Sequence, residues 1–235
     1  MKFEKIIKFL KDLIAPKKCI FCSVEGKFLC DKCKEKVEKY SPFCFICGDN
    51  NEKYKIHKEC KKKENFLLDR VIIFTKYKNK KIAKLIKNAK YYSKKDIFED
   101  FGEILAELLE KNINIKNDNI ILTFAPMHKK KQYRRGYNQA EILARHIGKK
   151  LNIEVVELVT KIANTRAQVD SSPEERKNNL NKAFEINKKY VQCMDGKKIV
   201  IVDDVVTTGS TLNEISKHII KGKPDEIIGL AIASH

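Results

Sequence analysis

Two adjacent acids followed by a run of hydroxyl side chains make residues 199–215 the clearest candidate for chemistry in this sequence. The segment reads IVIVDDVVTTGSTLNEI. Hydroxyls and free backbone amides at a helix N-terminus bind phosphate groups. Carboxylates accept hydrogen bonds from the vicinal hydroxyls of a sugar, or interact with the ligands of a Mg²⁺ ion. Asp203 and Asp204 beside such a loop therefore predict a site for a ribose 5-phosphate. The residues of the loop are Thr207, Thr208, Gly209, Ser210 and Thr211.

The residues around this loop predict a strand before the acids and a helix after the hydroxyls. Residues 199–202 are apolar and β-branched, which is typical of a strand buried on both faces. Leu212, Ile215 and Ile219 fall on one face of a helix that starts at Thr211. The acids are therefore expected at the carboxyl end of a strand, where open α/β sheets bind their ligands.

Two other interpretations of this segment are possible. An apolar run that ends in two acids also resembles the Walker B strand of an ATPase, but that class requires a G-x-x-x-x-G-K-[ST] loop, which this sequence lacks. The structural alternative is a surface turn with capping hydroxyls. One Ser or Thr would be enough for a cap, whereas this loop has four hydroxyls around one glycine, so phosphate binding is favoured.

Seven of the eight cysteines lie between residues 19 and 60, in pairs with the spacing of metal ligands. A Cys-x2-Cys turn directs two sulfurs at one point, and two such turns complete a tetrahedral zinc site. Three of these pairs and one His-x2-Cys pair provide eight ligands, which predicts two closed, structural zinc ions. The ligands are Cys19, Cys22, Cys30, Cys33, Cys44, Cys47, His57 and Cys60.

The simplest pairing of these ligands is sequential, with the first four around one ion and the last four around the other. An interleaved pairing stays open. A lone histidine is usually a bystander, but the spacing of His57 to Cys60 favours a ligand. The stretch has few apolar residues, so its folding is expected to depend on metal. Cys193 stands apart and is expected to be inert.

From about residue 66 onward, short apolar runs alternate with helical patterns. This alternation predicts a mostly parallel sheet covered by helices on both faces. The best boundary before it is the sequence KKKEN at residues 61–65. Strands are predicted at residues 71–74, 120–124, 155–159, 199–202 and 227–233, and helices at residues 82–89, 97–111, 139–151 and 211–220.

Basic residues outnumber acidic ones by 49 to 31, which gives a formal net charge of +18. Such an excess favours anionic partners such as nucleic acid, acidic lipid or phosphorylated metabolites. A genome that encodes Lys wherever a surface needs charge explains the excess equally well. The sequence has no apolar run of about 18 residues, so no transmembrane helix is expected.

The N-terminal segment alternates Lys with apolar residues, unlike the unbroken apolar core of an export signal. Its apolar residues share one helical face, which is expected to pack on the protein itself; a basic helix on a membrane surface is the less favoured alternative. Without an export signal we expect a reducing cytoplasm, where eight cysteines indicate metal ligands rather than disulfides.

The segment VIVDDVVTTGST resembles the phosphoribosyl pyrophosphate (PRPP) motif of type I phosphoribosyltransferases. More narrowly, the chain is similar to the ComF family, cytoplasmic competence-associated proteins that join a double zinc ribbon to a phosphoribosyltransferase-like domain. The resemblance covers nearly the whole chain and rests on the paired metal ligands, RRGYNQAEILAR, KIANTRAQ through RKNNLNKAF, and the PRPP loop. His57 departs from the family, which more often has cysteine there.

This resemblance implies a type I phosphoribosyltransferase-like α/β fold at residues 66–235, preceded by a helix and a double zinc ribbon at residues 1–65. It implies that Asp203 and Asp204 contact the ribose hydroxyls of Mg²⁺-bound PRPP, and that the loop at 207–211 holds the 5-phosphate. A second loop, after the strand IILTF, would meet the pyrophosphate. This loop comprises Ala125, Pro126, Met127 and His128.

A basic run follows the second loop, and cations there would stabilise a departing pyrophosphate. Arg135 is assigned to catalysis together with the two acids. Gly136 and Asn138 are expected to turn the chain and cap the next helix. The alternative for the basic run is a solvated face. The run contains Lys129, Lys130, Lys131, Arg134 and Arg135.

The family also implies a flexible lid, here at residues 161–181. Long polar loops are often functional, and closure of this one would exclude water from the reacting centre. Arg176 is expected to close over the pyrophosphate. The positions that match the family are Lys161, Thr165, Gln168, Arg176 and Asn179.

Family membership implies a role in natural transformation, in which the protein binds Mg²⁺-PRPP and handles single-stranded DNA, with a DNA-uptake helicase or channel protein as a possible partner. Several aromatic residues could stack on bases, or simply pack in the interior. The alternative function is transfer of ribose 5-phosphate to a nitrogenous acceptor without a DNA role; the sequence shows no acceptor pocket. A PRPP-sensing regulator is disfavoured because no DNA-reading helix motif is present. The aromatic residues are Tyr133, Tyr137, Phe43, Phe45 and Tyr54.

Overall fold

A computed structural model describes residues 16–91, 95–116, 119–163 and 183–235. The predicted N-terminal helix and most of the predicted lid, including Thr165, Gln168, Arg176 and Asn179, lie outside these ranges. None of the helices in the described ranges has the length and apolarity that a membrane span requires.

A parallel sheet of four strands forms the centre of the structure, and each strand was predicted from an apolar run. The strands are β1 (Arg70–Lys76), β2 (Ile120–Phe124), β5 (Lys198–Val206) and β6 (Glu226–Ser234). Their order across the sheet is β1-β6-β5-β2, and every neighbouring pair is parallel. The central strands are buried along most of their length, which explains their apolar composition.

The strand predicted at residues 155–159 forms only in part. A single parallel bridge joins Val155 to Leu122 of β2 and extends the sheet outward by one position. The chain then leaves the sheet, and the amide of Leu158 donates a hydrogen bond to the Thr123 hydroxyl at 3.3 Å. Two short strands beyond it, β3 (Val159–Lys161) and β4 (Phe184–Ile186), pair antiparallel as a separate sheet.

The helices are α1 (Asp31–Glu35), α2 (Lys58–Glu64), α3 (Lys80–Tyr91), α4 (Asp96–Asn112), α5 (Lys129–Arg135), α6 (Gln139–Leu151) and α7 (Ser210–Ile219). Short 3₁₀ turns occur at Glu52–Tyr54, Lys188–Tyr190, Gln192–Met194 and Ile220–Gly222. All four predicted helices are present, and an additional helix, α5, forms from the basic run after the second predicted loop.

Helices cover both faces of the central sheet. Helix α4 lies in the connection from β1 to β2, and α6 lies in the connection from β2 to the bridge at Val155, so both connections run toward the same edge of the sheet. The connection from β5 to β6 through α7 runs toward the other edge. Because such connections are right-handed, α7 lies on the opposite face of the sheet from α4 and α6. There Leu212 of α7 lies against Gly229 of β6, where an added Cβ would come within 2.8 Å of the leucine side chain. The predicted fold class, a mostly parallel sheet with helices on both faces, is confirmed.

The cysteine-rich segment packs directly against the sheet domain. The amide of Phe28 donates a hydrogen bond to Asp100 of α4 at 2.7 Å, and the hydroxyl of Thr75 in β1 donates to the carbonyl of Glu38 at 2.6 Å. The buried side chain of Leu29 joins the same apolar cluster as the sheet. The division at residue 65 stays a prediction, but the two regions share a continuous interface.

Candidate functional site

The eight predicted metal ligands form two clusters of four. The first cluster is Cys19, Cys22, Cys30 and Cys33, and the second cluster is Cys44, Cys47, His57 and Cys60. Within each cluster the ligand atoms all lie within 4.8 Å of one another. The sequential pairing is therefore confirmed, the interleaved pairing is wrong, and His57 lies with its three cysteines.

The spacing inside the clusters fits a tetrahedral zinc ion. Bonds of about 2.3 Å to sulfur and about 2.0 Å to nitrogen would place neighbouring ligand atoms about 3.5–3.8 Å apart. The sulfurs of Cys22 and Cys30 lie 3.6 Å apart. Nδ1 of His57 lies 3.3 Å from the sulfur of Cys47 and 3.9 Å from that of Cys60. Each cluster could therefore hold one zinc ion, as a double zinc ribbon requires.

The pKa values of the cysteine thiols differ strongly within each cluster. Burial opposes ionisation of Cys19, but hydrogen bonds from nearby backbone amides outweigh it and lower the pKa of Cys19 to about 6. Burial and the neighbouring sulfurs raise the pKa of Cys33 to about 12. In the second cluster the pKa of Cys44 is lowered to about 7 and that of Cys47 is raised to about 12. Thiols so close together lose their protons when they bind a metal ion, which couples metal binding to the fold of each cluster.

The two acids lie inside strand β5 rather than after its end. The strand runs four residues beyond the predicted limit because it stays paired with β6 as far as Val206 and Ser234. Successive side chains of a strand point to opposite faces, so Asp203 and Asp204 leave β5 on different faces, although their carboxyls stay close enough to interact. Asp203 is half-buried, whereas Asp204 is 4% exposed.

Asp203 and the hydroxyl loop line one small cavity at the carboxyl edge of the sheet. The cavity measures about 30 Å³, and Asp204 does not line it. Thr207 and Ser210 are exposed at its mouth, and Gly209, with a φ of 74°, turns the chain into α7. The structure thus brings one of the two predicted acids to the loop. The lining residues are Asp203, Val205, Val206, Thr207, Gly209, Ser210, Thr211 and Leu212.

Among the residues that the structure describes, Asp203 forms no ion pair, whereas Asp204 pairs with Lys90. Burial and then the charge of Asp204 raise the pKa of Asp203 well above its usual range. Its Oδ1 accepts a hydrogen bond from the amide of Asp204 at 2.8 Å. Hydroxyl donors or a cation brought by a ligand would therefore stabilise its charged form.

Asp204 instead joins a chain of contacts that connects three helices. Its Oδ1 accepts a hydrogen bond from Gln139 of α6 at 3.2 Å, and its Oδ2 forms an ion pair with Lys90 of α3. Gln139 in turn accepts a hydrogen bond from Arg135 at 2.6 Å. The guanidinium of Arg135 lies 6.0 Å from the ring centre of Tyr91. Arg135, predicted to be catalytic, therefore reaches the acids only through Gln139.

The second predicted loop begins beside the acids. The amide of Ala125 donates a hydrogen bond to the carbonyl of Val202 at 2.9 Å, so residues 125–128 continue from β2 next to Asp203. Met127 and His128 are half-buried. This position agrees with a role close to the acids, although neither side chain lines the cavity at the hydroxyl loop.

The basic run forms helix α5 because capping residues define both of its ends. Nδ1 of His128 accepts a hydrogen bond from the amide of Lys130 at 3.2 Å, and Gly136, with a φ of 84°, ends the helix. Asn138 then caps α6, since its side-chain oxygen accepts a hydrogen bond from the amide of Ala140 at 3.1 Å. The predicted turn and cap are confirmed.

Positive charge accumulates around the acids. The pKa of Lys131 is lowered by burial and by the charges of Arg135 and Lys90. The pKa of Lys161 is also lowered, by burial and by Lys131, while Asp203 acts in the opposite direction. Lys131 and Lys161 thus place positive charge close to the acids, which favours an anionic ligand.

Lys90 and Gln139 are site residues that sequence reasoning missed. Gln139 lies in the RRGYNQ segment that was singled out for function, so its neighbourhood was a usable signal. Lys90 gave no signal, because α3 contains five lysines and the sequence does not show which of them faces the acids.

A larger cleft of about 470 Å³ is lined by residues of the hydroxyl loop and by residues beside the second cluster. Phe43 and Phe45, flanking Cys44, contribute aromatic walls, and Thr208 faces this cleft rather than the small cavity. Tyr54, also proposed to stack on bases, is buried and donates a hydrogen bond to the carbonyl of Tyr40 at 2.8 Å. The lining residues are Tyr40, Phe43, Phe45, Ile46, Glu64, Phe66, Thr207, Thr208, Ser210, Asn213, Ser234 and His235.

Comparison with known proteins shows a phosphoribosyl transferase domain and similarity to competence proteins. The family model for the phosphoribosyl transferase domain matches residues 87–234. Competence protein F of Haemophilus influenzae is 29% identical over 219 residues, which cover 89% of this chain and 93% of the relative. Competence protein ComFC of Bacillus subtilis is 21% identical over 212 residues, or 88% and 84% of the two chains.

A shorter similarity extends to DNA utilization protein YhgH of Escherichia coli, which is 36% identical over 97 residues, 41% of each chain. The domain match covers more than half of the chain, and each of the two competence relatives aligns with almost nine-tenths of it. The chain therefore belongs to the phosphoribosyl transferase domain family and, within it, to the ComF family.

Proposed function

We propose that this protein binds Mg²⁺-PRPP at the carboxyl edge of its sheet and acts in natural transformation, in the handling of single-stranded DNA. The observation that carries the proposal is the cavity shared by Asp203 and the hydroxyl loop, with Lys131 and Lys161 close enough to the acids for their charges to interact. The names of the competence and DNA-utilization relatives support the cellular role.

In this proposal each part of the ligand has its own protein group. The loop at 207–211 holds the 5-phosphate with hydroxyls and the first amides of α7. Asp203 accepts hydrogen bonds from the ribose hydroxyls, and Lys131 and Lys161 face the pyrophosphate. Bound Mg²⁺ would neutralise part of the pyrophosphate charge. Asp204 does not touch the ligand but fixes Lys90 and Gln139, and through them the position of α5 and α6.

Thermal unfolding in the presence of candidate ligands tests this proposal. A ligand at 100 times its dissociation constant stabilises a protein by about 2.7 kcal/mol, which corresponds to a rise of about 5–10 °C for a chain of this size. We expect such a shift with Mg²⁺-PRPP and smaller shifts with ribose 5-phosphate or pyrophosphate at the same concentration. Equal shifts with all three anions would show that the site recognises charge rather than the whole sugar.

A second candidate function is transfer of the ribose 5-phosphate to a nitrogenous acceptor, and the aromatic cleft favours it. Its volume of about 470 Å³ falls in the range of small-molecule sites, and it borders the hydroxyl loop. In this reaction the bond from the anomeric carbon to the pyrophosphate oxygen breaks, with the electron pair leaving on pyrophosphate. A carbon–nitrogen bond forms on the opposite face, and the nitrogen loses one proton.

Release of pyrophosphate from PRPP in the presence of a panel of nitrogenous acceptors tests the second function. Transfer predicts release that depends on one acceptor and falls in the Phe43→Leu variant. The matched control is Phe21→Leu, since Phe21 is also half-buried in the cysteine-rich segment but does not line the cleft. Release without dependence on any acceptor would argue against transfer.

A further inference from the structure

Helix α3 presents a basic stripe that ends in an aromatic ring. Lys80, Lys84, Lys87 and Tyr91 recur at the spacing i, i+4, i+7 and i+11, so they share one helical face. All four are exposed. At about 1.5 Å per residue the stripe is about 16 Å long.

A second exposed ring lies where α3 meets α5. Tyr91 is 74% exposed and Tyr133 of α5 is 93% exposed. The two helices meet here, because Arg135 of α5 lies over the ring of Tyr91. Tyr137, the other tyrosine of this region, is half-buried and donates a hydrogen bond to the carbonyl of Ala89. Its role is packing, whereas the other two rings are largely exposed to solvent, with Arg135 over one face of Tyr91.

The charge along this stripe is not balanced by acids. Within the parts of the chain that the structure describes, Lys80, Lys84 and Lys87 form no ion pair, and neither does Arg134 of α5. A groove of about 520 Å³ follows the stripe. A row of unpaired cations attracts a polyanion, and exposed aromatic rings between cations offer stacking surfaces for bases. We call this set the α3–α5 surface; its residues are Lys80, Lys84, Lys87, Tyr91, Tyr133 and Arg134.

We infer that the α3–α5 surface binds single-stranded DNA, with its cations on backbone phosphates and with Tyr91 and Tyr133 stacked on unpaired bases. A single strand fits better than a duplex, because bases inside a duplex do not expose their faces to a side chain. DNA rather than RNA as the occupant rests on the proposed function. The surface lies outside the cavity at the hydroxyl loop, so PRPP and DNA would bind at separate places.

Fluorescence anisotropy with labelled oligo(dT) of about 20 nucleotides tests the surface. Replacing both rings in Tyr91→Leu/Tyr133→Leu should raise the dissociation constant at least about tenfold, since stacking is lost. The Tyr91→Phe/Tyr133→Phe variant keeps the rings and should bind as the wild type does. Circular dichroism and thermal unfolding establish that both variants fold.

The salt dependence tests the phosphate contacts separately. Between about 50 and 200 mM salt, log K falls as log salt rises, and Lys84→Ala/Lys87→Ala should make this slope less negative by about 1.4, since each single-strand phosphate contact contributes about −0.7. The matched control is Lys188→Ala/Lys221→Ala, which removes the same charge from two exposed lysines on the turns that precede β5 and β6. The control should leave the slope close to that of the wild type.

Three results would overturn the inference: leucine variants that bind as tightly as the wild type, control lysines that matter as much as Lys84 and Lys87, or a duplex that binds as tightly as oligo(dT). Tighter binding of oligo(U) than of oligo(dT) would contradict DNA as the occupant. If the wild type binds no oligo(dT) at all, the DNA part of the proposed function fails. If the wild type binds and the variants are unchanged, only the location is wrong.

Discussion

Phe45 of the second metal cluster packs directly against Gly209 of the hydroxyl loop. A Cβ added to Gly209 would lie 2.9 Å from a ring carbon of Phe45 and 3.0 Å from one of Phe66. The two rings are themselves stacked, with centroids 6.1 Å apart. Phe45 lies between Cys44 and Cys47 in the sequence, so the shape of the loop depends on the local fold of this cluster.

The Gly209→Ala substitution is therefore expected to disturb both stability and ligand binding. Gly209 has a φ of 74°, which costs an alanine about 1–2 kcal/mol, and the added methyl must displace Phe45 or Phe66. Thermal unfolding should show a decrease of at least about 4–8 °C. Gly196→Ala is a matched control, because Gly196 also has a positive φ of 64° but has nothing within 4 Å of an added Cβ. Equal losses in the two variants would show that ring contacts do not hold the loop.

Loss of metal from the second cluster should also weaken binding at the loop. Cys60→Ser removes one ligand, so the zinc content should fall from about two ions per chain to about one. The released cluster no longer holds Phe45, and the Mg²⁺-PRPP-dependent thermal shift should shrink. Cys193→Ser, outside both clusters, should change neither quantity. If the Cys60→Ser protein loses zinc but keeps the full ligand-dependent thermal shift, binding at the loop does not depend on the second cluster.

Asp203→Asn should raise the stability of the ligand-free protein at neutral pH. The pKa of Asp203 is raised in the folded state by burial and by Asp204, whereas an unfolded Asp titrates near pH 3.9. Below about pH 4 the proton is bound in both states, and the carboxyl causes no loss of stability. As the pH rises, the unfolded chain releases the proton first, so the wild type loses stability until the pH passes the folded pKa.

The variant has no such proton to lose, so its unfolding temperature should exceed that of the wild type at neutral pH, and the difference should vanish near pH 4. Thermal unfolding across this pH range measures it. Asp225→Asn is the control, since Asp225 is exposed at the amino end of β6. A lower unfolding temperature for Asp203→Asn than for the wild type at neutral pH would contradict the raised pKa.

Gln139→Met should disconnect Arg135 from Asp204 while roughly preserving the volume of the side chain. Breaking the two hydrogen bonds of Gln139 leaves Asp204 with an unsatisfied buried oxygen, at a cost of about 1–3 kcal/mol. The Mg²⁺-PRPP affinity should fall as well, since α5 and α6 lose their connection to the acids. Chemical denaturation and ligand titration measure the two effects. Gln132→Met on α5 serves as the control, and an equal effect there would rule out the network.

The fold was largely predictable because the buried strands are unbroken apolar runs with clear limits. The strand at residues 120–124 and the helix at residues 139–151 both have the predicted bounds. Helix α5 was not predictable from periodicity, since seven residues make only two turns and its cap, His128, is not a typical capping residue. The strand predicted at 155–159 is short because the amide of Leu158 donates a hydrogen bond to the side chain of Thr123 instead of pairing with the backbone of β2. No local sequence pattern predicts this hydrogen bond.

The two metal clusters were predictable from the sequence, but the contacts around the acids were not. Ending β5 at Val202 hid the fact that both acids lie within the strand, on alternate faces. The partners of Asp204, Lys90 and Gln139, come from segments that are distant in the sequence. The aromatic cleft was missed for the same reason, since its walls combine the second cluster with the ends of β5 and β6.

The central claim is that Asp203 and the hydroxyl loop together bind the sugar phosphate of PRPP, and isothermal titration with Mg²⁺-PRPP tests it most directly. We expect one ligand to bind per chain, with affinity at least about tenfold weaker in Asp203→Asn and in Thr211→Val, because each loses a direct contact worth about 1.5 kcal/mol or more. Asp225→Asn should bind as the wild type does. Absence of binding to the wild type, or equal affinity in wild type and Asp203→Asn, would contradict the claim.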